Sequence, residues 1–133
     1  MSEEVYHAEI KRLAALGAKP QRLEPRDASY SADNPFCGDR VTLDVRMEGD
    51  HVHALGHEVK GCMICQAAAA TLAEAAPGRS LADLLAEETA LRAILAGNED
   101  PTSRWAPFAP LARHRSRHDC ALLPFLALKD GKK

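Results

Sequence analysis

Four cysteines, at positions 37, 62, 65 and 120, are the residues of this 133-residue chain whose type and spacing can do chemistry. A thiolate is both a nucleophile and a soft metal ligand, and each use requires that it be ionised and reachable. Cys37 lies in Asn34-Pro35-Phe36-Cys37-Gly38-Asp39-Arg40, where a glycine separates it from Asp39. Such a Cys-Gly-Asp unit can deliver one sulfur and one carboxylate oxygen to the same ion. Cys62 follows Gly61 and opens an alanine-rich segment, and Cys120 falls at or near the start of the last helical segment. A helix N-terminus offers unpaired N–H groups and the positive end of the dipole, both of which favour thiolate over thiol. Thiolates from Cys37, Cys62 and Cys120 plus the Asp39 carboxylate would complete a tetrahedral zinc shell. The carboxylate is harder than a fourth thiolate and more easily displaced. A site so built can hold metal and still release one position, whereas a purely structural zinc closes more naturally with four Cys, or with Cys and His. Cys65 stands one helical turn beyond Cys62 and is as readily packing as chemistry.

Other readings compete. A lone cysteine is most often a small buried hydrophobe. Cys62-Met63-Ile64-Cys65 has the spacing of a thioredoxin-type redox pair; that reading lacks the preceding buried strand and leaves Cys37 and Cys120 unexplained. His51, His53 and His57 share one strand parity, facing away from Val52 and Ala54, and are expected on a solvated face. His118 is either an accessory ligand near Cys120 or a helix-surface residue. The basic residues Arg104, Arg113, His114, Arg115 and Arg117 can dock an acidic partner, although a solvated face is the default for such a run.

The elements that must position these groups are legible. Residues 3–17 read as an amphipathic helix with Tyr6, Ile10 and Leu13 on one face and Gly17 as its stop. Residues 28–32 suggest a short edge strand. In 41–47, Val41, Leu43, Val45 and Met47 alternate with polar residues, which predicts a strand with one dry face. Glu48-Gly49-Asp50 predicts the turn to a returning strand, 51–57. Residues 62–76 predict a slim helix ending at Pro77-Gly78. Ser80 with Asp83 predicts the capped start of a helix through residue 95, its apolar stripe built from Leu81, Leu84, Leu85, Leu91, Ile94 and Leu95. On its exposed side Glu88 and Arg92 are an i, i+4 pair. Residues 105–112 predict a short helix despite two prolines, and 118–129 a final helix containing Pro124.

The expectation is one domain over residues 1–133: an N-terminal helix in 1–17, a sheet in 28–59, a helical part in 62–129 and a fraying tail in 130–133. At 46% apolar and 27% charged residues, with net charge -2, a dominant nucleic-acid surface is not expected. No apolar run reaches bilayer-spanning length, and the acidic start Met1-Ser2-Glu3-Glu4 does not resemble an export signal. The expected location is the reducing cytoplasm, without membrane association, where structural disulfides are disfavoured.

Three stretches carry a resemblance: Asn34-Pro35-Phe36-Cys37-Gly38-Asp39-Arg40, then Gly61-Cys62-Met63-Ile64-Cys65, then Arg117-His118-Asp119-Cys120-Ala121-Leu122-Leu123. In this order they resemble the three cysteine motifs of the U-type iron–sulfur cluster assembly proteins, which include IscU, the N-terminal domain of NifU, and SufU. The resemblance runs from about Tyr30 to Lys129. The long stretch between Cys62 and Cys120, and the Arg-x-x-Cys-Ala-x-Leu pattern met by Arg117, Cys120, Ala121 and Leu123, are most similar to the SufU branch. Two positions depart from the family pattern. Cys65 stands where a serine or other small residue is usual, and Asp119 replaces a usually basic or histidine neighbour of the last cysteine. That acid should make a thiolate at Cys120 harder to form.

The resemblance implies an α/β (α+β) fold of SufE/IscU type, with a three-stranded antiparallel sheet packed against about five helices. It implies that Cys37, Asp39, Cys62 and Cys120 surround zinc or a nascent cluster, with Cys65, Arg117 and His118 as possible accessories. It implies sulfur acceptance from a cysteine desulfurase, followed by delivery to a downstream iron–sulfur carrier or apo-protein. In the SufU-like reading Cys37 accepts sulfur, released from zinc when the desulfurase supplies a substitute ligand, and the protein is a zinc-dependent sulfurtransferase. In the IscU-like reading Cys120 accepts, Cys37, Cys62 and Cys120 hold a [2Fe–2S] cluster, and the protein is a scaffold rather than an enzyme. Outside the family, the alternative is a structural zinc-binding adaptor.

Overall fold

A computed structural model describes residues 7–35 and 38–130, so Cys37 lies outside the described residues. So do the first residues of the expected 3–17 helix, with Tyr6 of its apolar face, and the last residues of the expected tail. Helix α1 is Ala8–Ala18, capped by His7, whose side chain accepts from the Glu9 amide. Ile10, Leu13, Ala14 and Gly17 face inward, the i, i+3, i+4, i+7 spacing of an amphipathic helix. Three strands follow, β1 (Ala28–Asn34), β2 (Asp39–Glu48) and β3 (His51–Lys60), in an antiparallel sheet of order β1-β2-β3. Residues 28–32 are indeed the start of an edge strand, which runs on to Asn34.

Val41, Leu43 and Val45 of β2 are almost fully buried, as their alternation predicts. The other face is not simply wet. Asp44, 0% exposed, points into a cover made by the segment between α1 and β1. There it accepts from the Arg22 guanidinium at 2.6 and 3.1 Å, the Leu23 amide at 3.0 Å and the Ser29 hydroxyl at 2.8 Å. Gly56, paired with Asp44, leaves room for this cover, since a Cβ there would meet the Gln21 carbonyl oxygen at 2.2 Å.

The pairing of β2 with β3 shifts register between Arg46 and Met47: Arg46 lies opposite Ala54, but Met47 lies opposite Val52. The extra residue is His53, and this bulge corrects the expected parity of the histidines. His51 and His53 are exposed, whereas His57 is 4% exposed and lies opposite Leu43 on the core face.

Helix α2 (Met63–Ala75) passes through the middle of the molecule, its alanines 67–70 buried on every side. Small side chains let α1 approach so closely that a Cβ on Gly17 would stand 2.0 Å from the Gln66 carbonyl oxygen. Helix α3 (Leu81–Leu95) starts at the expected cap, the Asp83 amide donating to Ser80 Oγ at 3.1 Å. Leu84, Leu91, Ile94 and Leu95 are buried, while Leu81 and Leu85 are half-buried. Glu88 makes the expected pair with Arg92 at 2.7 Å, but is itself largely covered and also reaches Lys129 at 2.9 Å.

The expected helix at 105–112 is a 3₁₀ helix, Ala106–Arg113, since Pro107 and Pro110 have no N–H for an α-helical ladder. A second 3₁₀ turn, Arg115–Arg117, leads into α4 (His118–Asp130). Trp105 packs its ring 5.5 Å from Phe108 and 5.5 Å from Phe125, which joins the 3₁₀ segment to α4. The expected architecture, a three-stranded antiparallel sheet with about five helical elements, is the one observed.

Candidate metal centre

The last pair in the β1–β2 register is Asn34 with Asp39, and Asp39 opens β2. Just before it, Gly38 has φ 74°, a left-handed backbone that glycine adopts without strain, and its amide donates to the Asn34 carbonyl at 2.8 Å. At the far end of β3 the chain turns through Gly61 into α2, for which Cys62 is the N-cap in extended conformation. Cys120 is the third residue of α4. Two helix starts and one strand start therefore meet at one end of the sheet.

A carboxylate oxygen of Asp39 and the Sγ atoms of Cys62 and Cys120 all lie within 4.8 Å of one another. Bonds of about 2.3 Å to sulfur and 2.0 Å to oxygen bring tetrahedral ligand atoms to roughly 3.5–3.8 Å apart. A small closure of side chains gathers these three around one ion. Asp39 is 4% exposed and Cys120 0%, with Cys62 half-buried at the mouth. Asp39 Oδ2 is buried with no hydrogen-bond partner among the described residues, which is how a ligand oxygen looks before its ion. The donor set, two sulfurs and one oxygen from residues far apart in the chain, fits a soft divalent cation.

Electrostatics at the site favour ionised sulfur. The Cys62 thiol is lowered to about 6, first by a hydrogen bond from the Cys120 thiol. Burial opposes this. The Cys65 and Ile64 amides at the start of α2 lower it further, and the Asp39 carboxylate pushes it up.

Cys65 is 0% exposed within the hydrophobic core, and with Cys62 and Cys120 it is not in a disulfide. Arg117 is half-buried at the end of the second 3₁₀ turn. His118 donates from Nε2 to the Leu111 carbonyl at 2.8 Å, which ties the start of α4 to the 3₁₀ segment rather than to the donor cluster. Of the basic run, Arg104 pairs with Glu87 at 3.2 Å, and Arg113 and Arg115 are exposed. A cleft of about 290 Å³ opens beside the centre, lined among others by Asn34, Pro35, Glu88, Asp119 and Leu126. The sequence gives Gly61 no role beyond preceding Cys62, yet the Asp39 carboxyl group lies directly over it. The only signal was a glycine set immediately before a helix-capping cysteine.

No helix among the described residues is long and apolar enough to cross a membrane. The family model described as "NifU-like N terminal domain" matches residues 17–104. The chain is 29% identical over 105 residues to the iron-sulfur cluster assembly scaffold protein IscU of Streptococcus pyogenes serotype M1, covering 76% of this chain and 66% of that one. It is 29% identical over 103 residues to the zinc-dependent sulfurtransferase SufU of Bacillus subtilis, covering 74% and 70%. Among solved structures, the N-terminal NifU-like protein of Brucella abortus superposes with a TM-score of 0.81 at 30% identity over 98% of this chain and 93% of that one. The putative SUF-system scaffold of Fervidobacterium islandicum superposes with 0.84 at 25% identity over the whole of both. The chain therefore belongs to the NifU-like N-terminal domain family, the iron–sulfur cluster assembly family of IscU and SufU.

Proposed function

We propose that this protein accepts sulfur from a cysteine desulfurase at a zinc site formed by Cys37, Asp39, Cys62 and Cys120, and passes it on for iron–sulfur cluster assembly. The observation that carries this reading is the convergence of Asp39, Cys62 and Cys120 within 4.8 Å. The likeness to a relative named as a zinc-dependent sulfurtransferase supports the transfer role. When bound, zinc would keep the thiols ionised at neutral pH.

The acceptor in this reading is Cys37. Its thiolate attacks the outer sulfur of the desulfurase persulfide. The sulfur–sulfur bond breaks, the desulfurase cysteine leaves as a thiolate, and Cys37 becomes the persulfide, with no net oxidation. Asp39 would supply the weakest donor of the set, two residues from the acceptor in sequence, the donor that a bound zinc would give up most easily. Cys62 and Cys120 remain as anchors at the two helix starts.

A second reading, in which the same residues hold a [2Fe–2S] cluster as cargo and Cys120 receives the sulfur, is supported by the relative named as a scaffold. Desulfurase turnover with and without this protein, run beside anaerobic cluster reconstitution and transfer, separates the two. Marked stimulation that is abolished by Cys37→Ser is the expected result. A transferable cluster without stimulation favours the scaffold, and failure of both leaves a structural zinc adaptor.

A further inference from the structure

Gly61 occupies the single position between the end of β3 and the cap of α2. Its backbone is not among the positive-φ glycines, so conformation does not demand glycine there. Space does. A Cβ at residue 61 would stand 2.7 Å from Asp39 Cγ, 2.7 Å from Oδ1 and 3.0 Å from Cβ, well inside the optimal separation of about 3.5–4.0 Å between carbons. Gly17 and Gly56 also lack side chains where another group passes, but their nearest neighbours are backbone oxygens. At Gly61 the passing group is the carboxylate of the metal-site cluster. Residue 61 therefore meets the Oδ1 side of the carboxylate, while Oδ2, buried with no hydrogen-bond partner among the described residues, lies on its other side. Residue 61 is also bonded to Cys62, so this packing fixes oxygen against sulfur directly.

We propose that Gly61 is a positioning residue of the metal site, its bare Cα setting the distance of the Asp39 carboxylate from the Cys62 and Cys120 sulfurs. The proposal rests on the metal-site reading above. A methyl group at 61 drives the carboxylate from its seat while leaving both sulfurs on their helices. In this reading Gly61→Ala acts on zinc through Asp39, which the test below separates from any effect on Cys62.

The test is a double-mutant cycle on the full chain, with zinc affinity measured by competition against a chromophoric chelator for wild type, G61A, D39A and D39A/G61A. G61A is expected to weaken zinc binding about tenfold or more, as loss of an outer-shell support does. In the D39A background the same substitution is expected to change affinity by less than about twofold, the two sites being coupled. Cobalt(II) in G61A is expected to keep its thiolate charge-transfer bands while its ligand-field bands move. An equal loss in both backgrounds, or no loss in either, overturns the proposal. Wild type that binds no zinc overturns the metal-site reading and this proposal with it, a result distinct from wild type and G61A binding alike. If G61A fails to fold by circular dichroism, adding D39A is expected to restore the fold; failure to restore it also overturns the proposal.

Discussion

The Sγ atoms of Cys62 and Cys120 lie within 4.8 Å of each other across the starts of two helices that meet only through the tertiary fold. This contact is the largest of the influences that bring Cys62 to about 6, ahead of the opposing cost of burial. In metal-free protein, Cys62 is therefore expected to alkylate with a midpoint near that value, measured by iodoacetamide labelling and peptide mass spectrometry across pH. C120A removes the leading influence, and the midpoint is expected to move upward. The stability linkage has the sign of a depressed acid. Against an unfolded thiol at about 8.5, the contribution is complete above that pH and is lost as pH falls towards 6. An unchanged labelling midpoint in C120A would mean that the helix amides alone hold the thiolate.

His57 works on a lower pH window. Burial depresses its imidazole, and Nδ1 has no partner among the described residues. The unfolded chain binds a proton at about pH 6.5 that the native protein resists, so stability should fall as pH drops through and below that value. His57→Leu is expected to flatten this acid limb and to raise stability at neutral pH by about 1 kcal/mol, by removing an unsatisfied buried nitrogen beside Leu43. Urea midpoints at pH 5 and pH 7.5 measure both effects. Equal acid sensitivity in variant and wild type would assign the limb to other groups.

How much of this was legible in the sequence depended on whether the signal was local. The dry face of β2 at Val41, Leu43 and Val45, the Ser80 cap and the apolar stripe of α3 are set by neighbours within a few residues, and these expectations match the structure. Cys62 at a helix start was legible for the same reason. What escaped was long-range. The bulge at His53 depends on how β3 settles against β2, and it moves His57 from the expected solvated face to the core. The 3₁₀ form of Ala106–Arg113 was missed although both prolines were in view, because short helical signals do not announce their pitch. The contact of Gly61 with Asp39 joins two motifs that the sequence offers separately.

Asp44 is a further case in which tertiary structure decides. Its alternation reads as a solvent-facing position, yet it is fully buried. Burial pushes its carboxyl up, but the Arg22 guanidinium, the Leu23 amide and the Ser29 hydroxyl outweigh it, so the net direction is down. The stability so gained is present above about pH 3.9 and is lost as acid protonates the folded carboxylate. Arg22→Ala strands that buried carboxylate and is expected to cost about 1.5–3 kcal/mol in urea unfolding at neutral pH. A D44N/R22A variant should recover part of the loss. No recovery would mean that Arg22 acts by covering the sheet rather than by its charge.

Asp39 should show function and stability pulling in opposite directions. A buried oxygen without a partner among the described residues, close to a thiol that is lowered to about 6, is a cost to the metal-free protein. Asp39→Ala is therefore expected to raise the urea-unfolding free energy of chelator-treated protein by about 1 kcal/mol. The same substitution removes a ligand oxygen, so zinc should stabilise the variant less than it stabilises wild type at equal free metal. Unfolding curves with and without zinc, on both proteins, separate the two terms. A variant less stable than wild type under chelation would show that the carboxylate supports the fold itself, and that its unpartnered oxygen is not waiting for an ion.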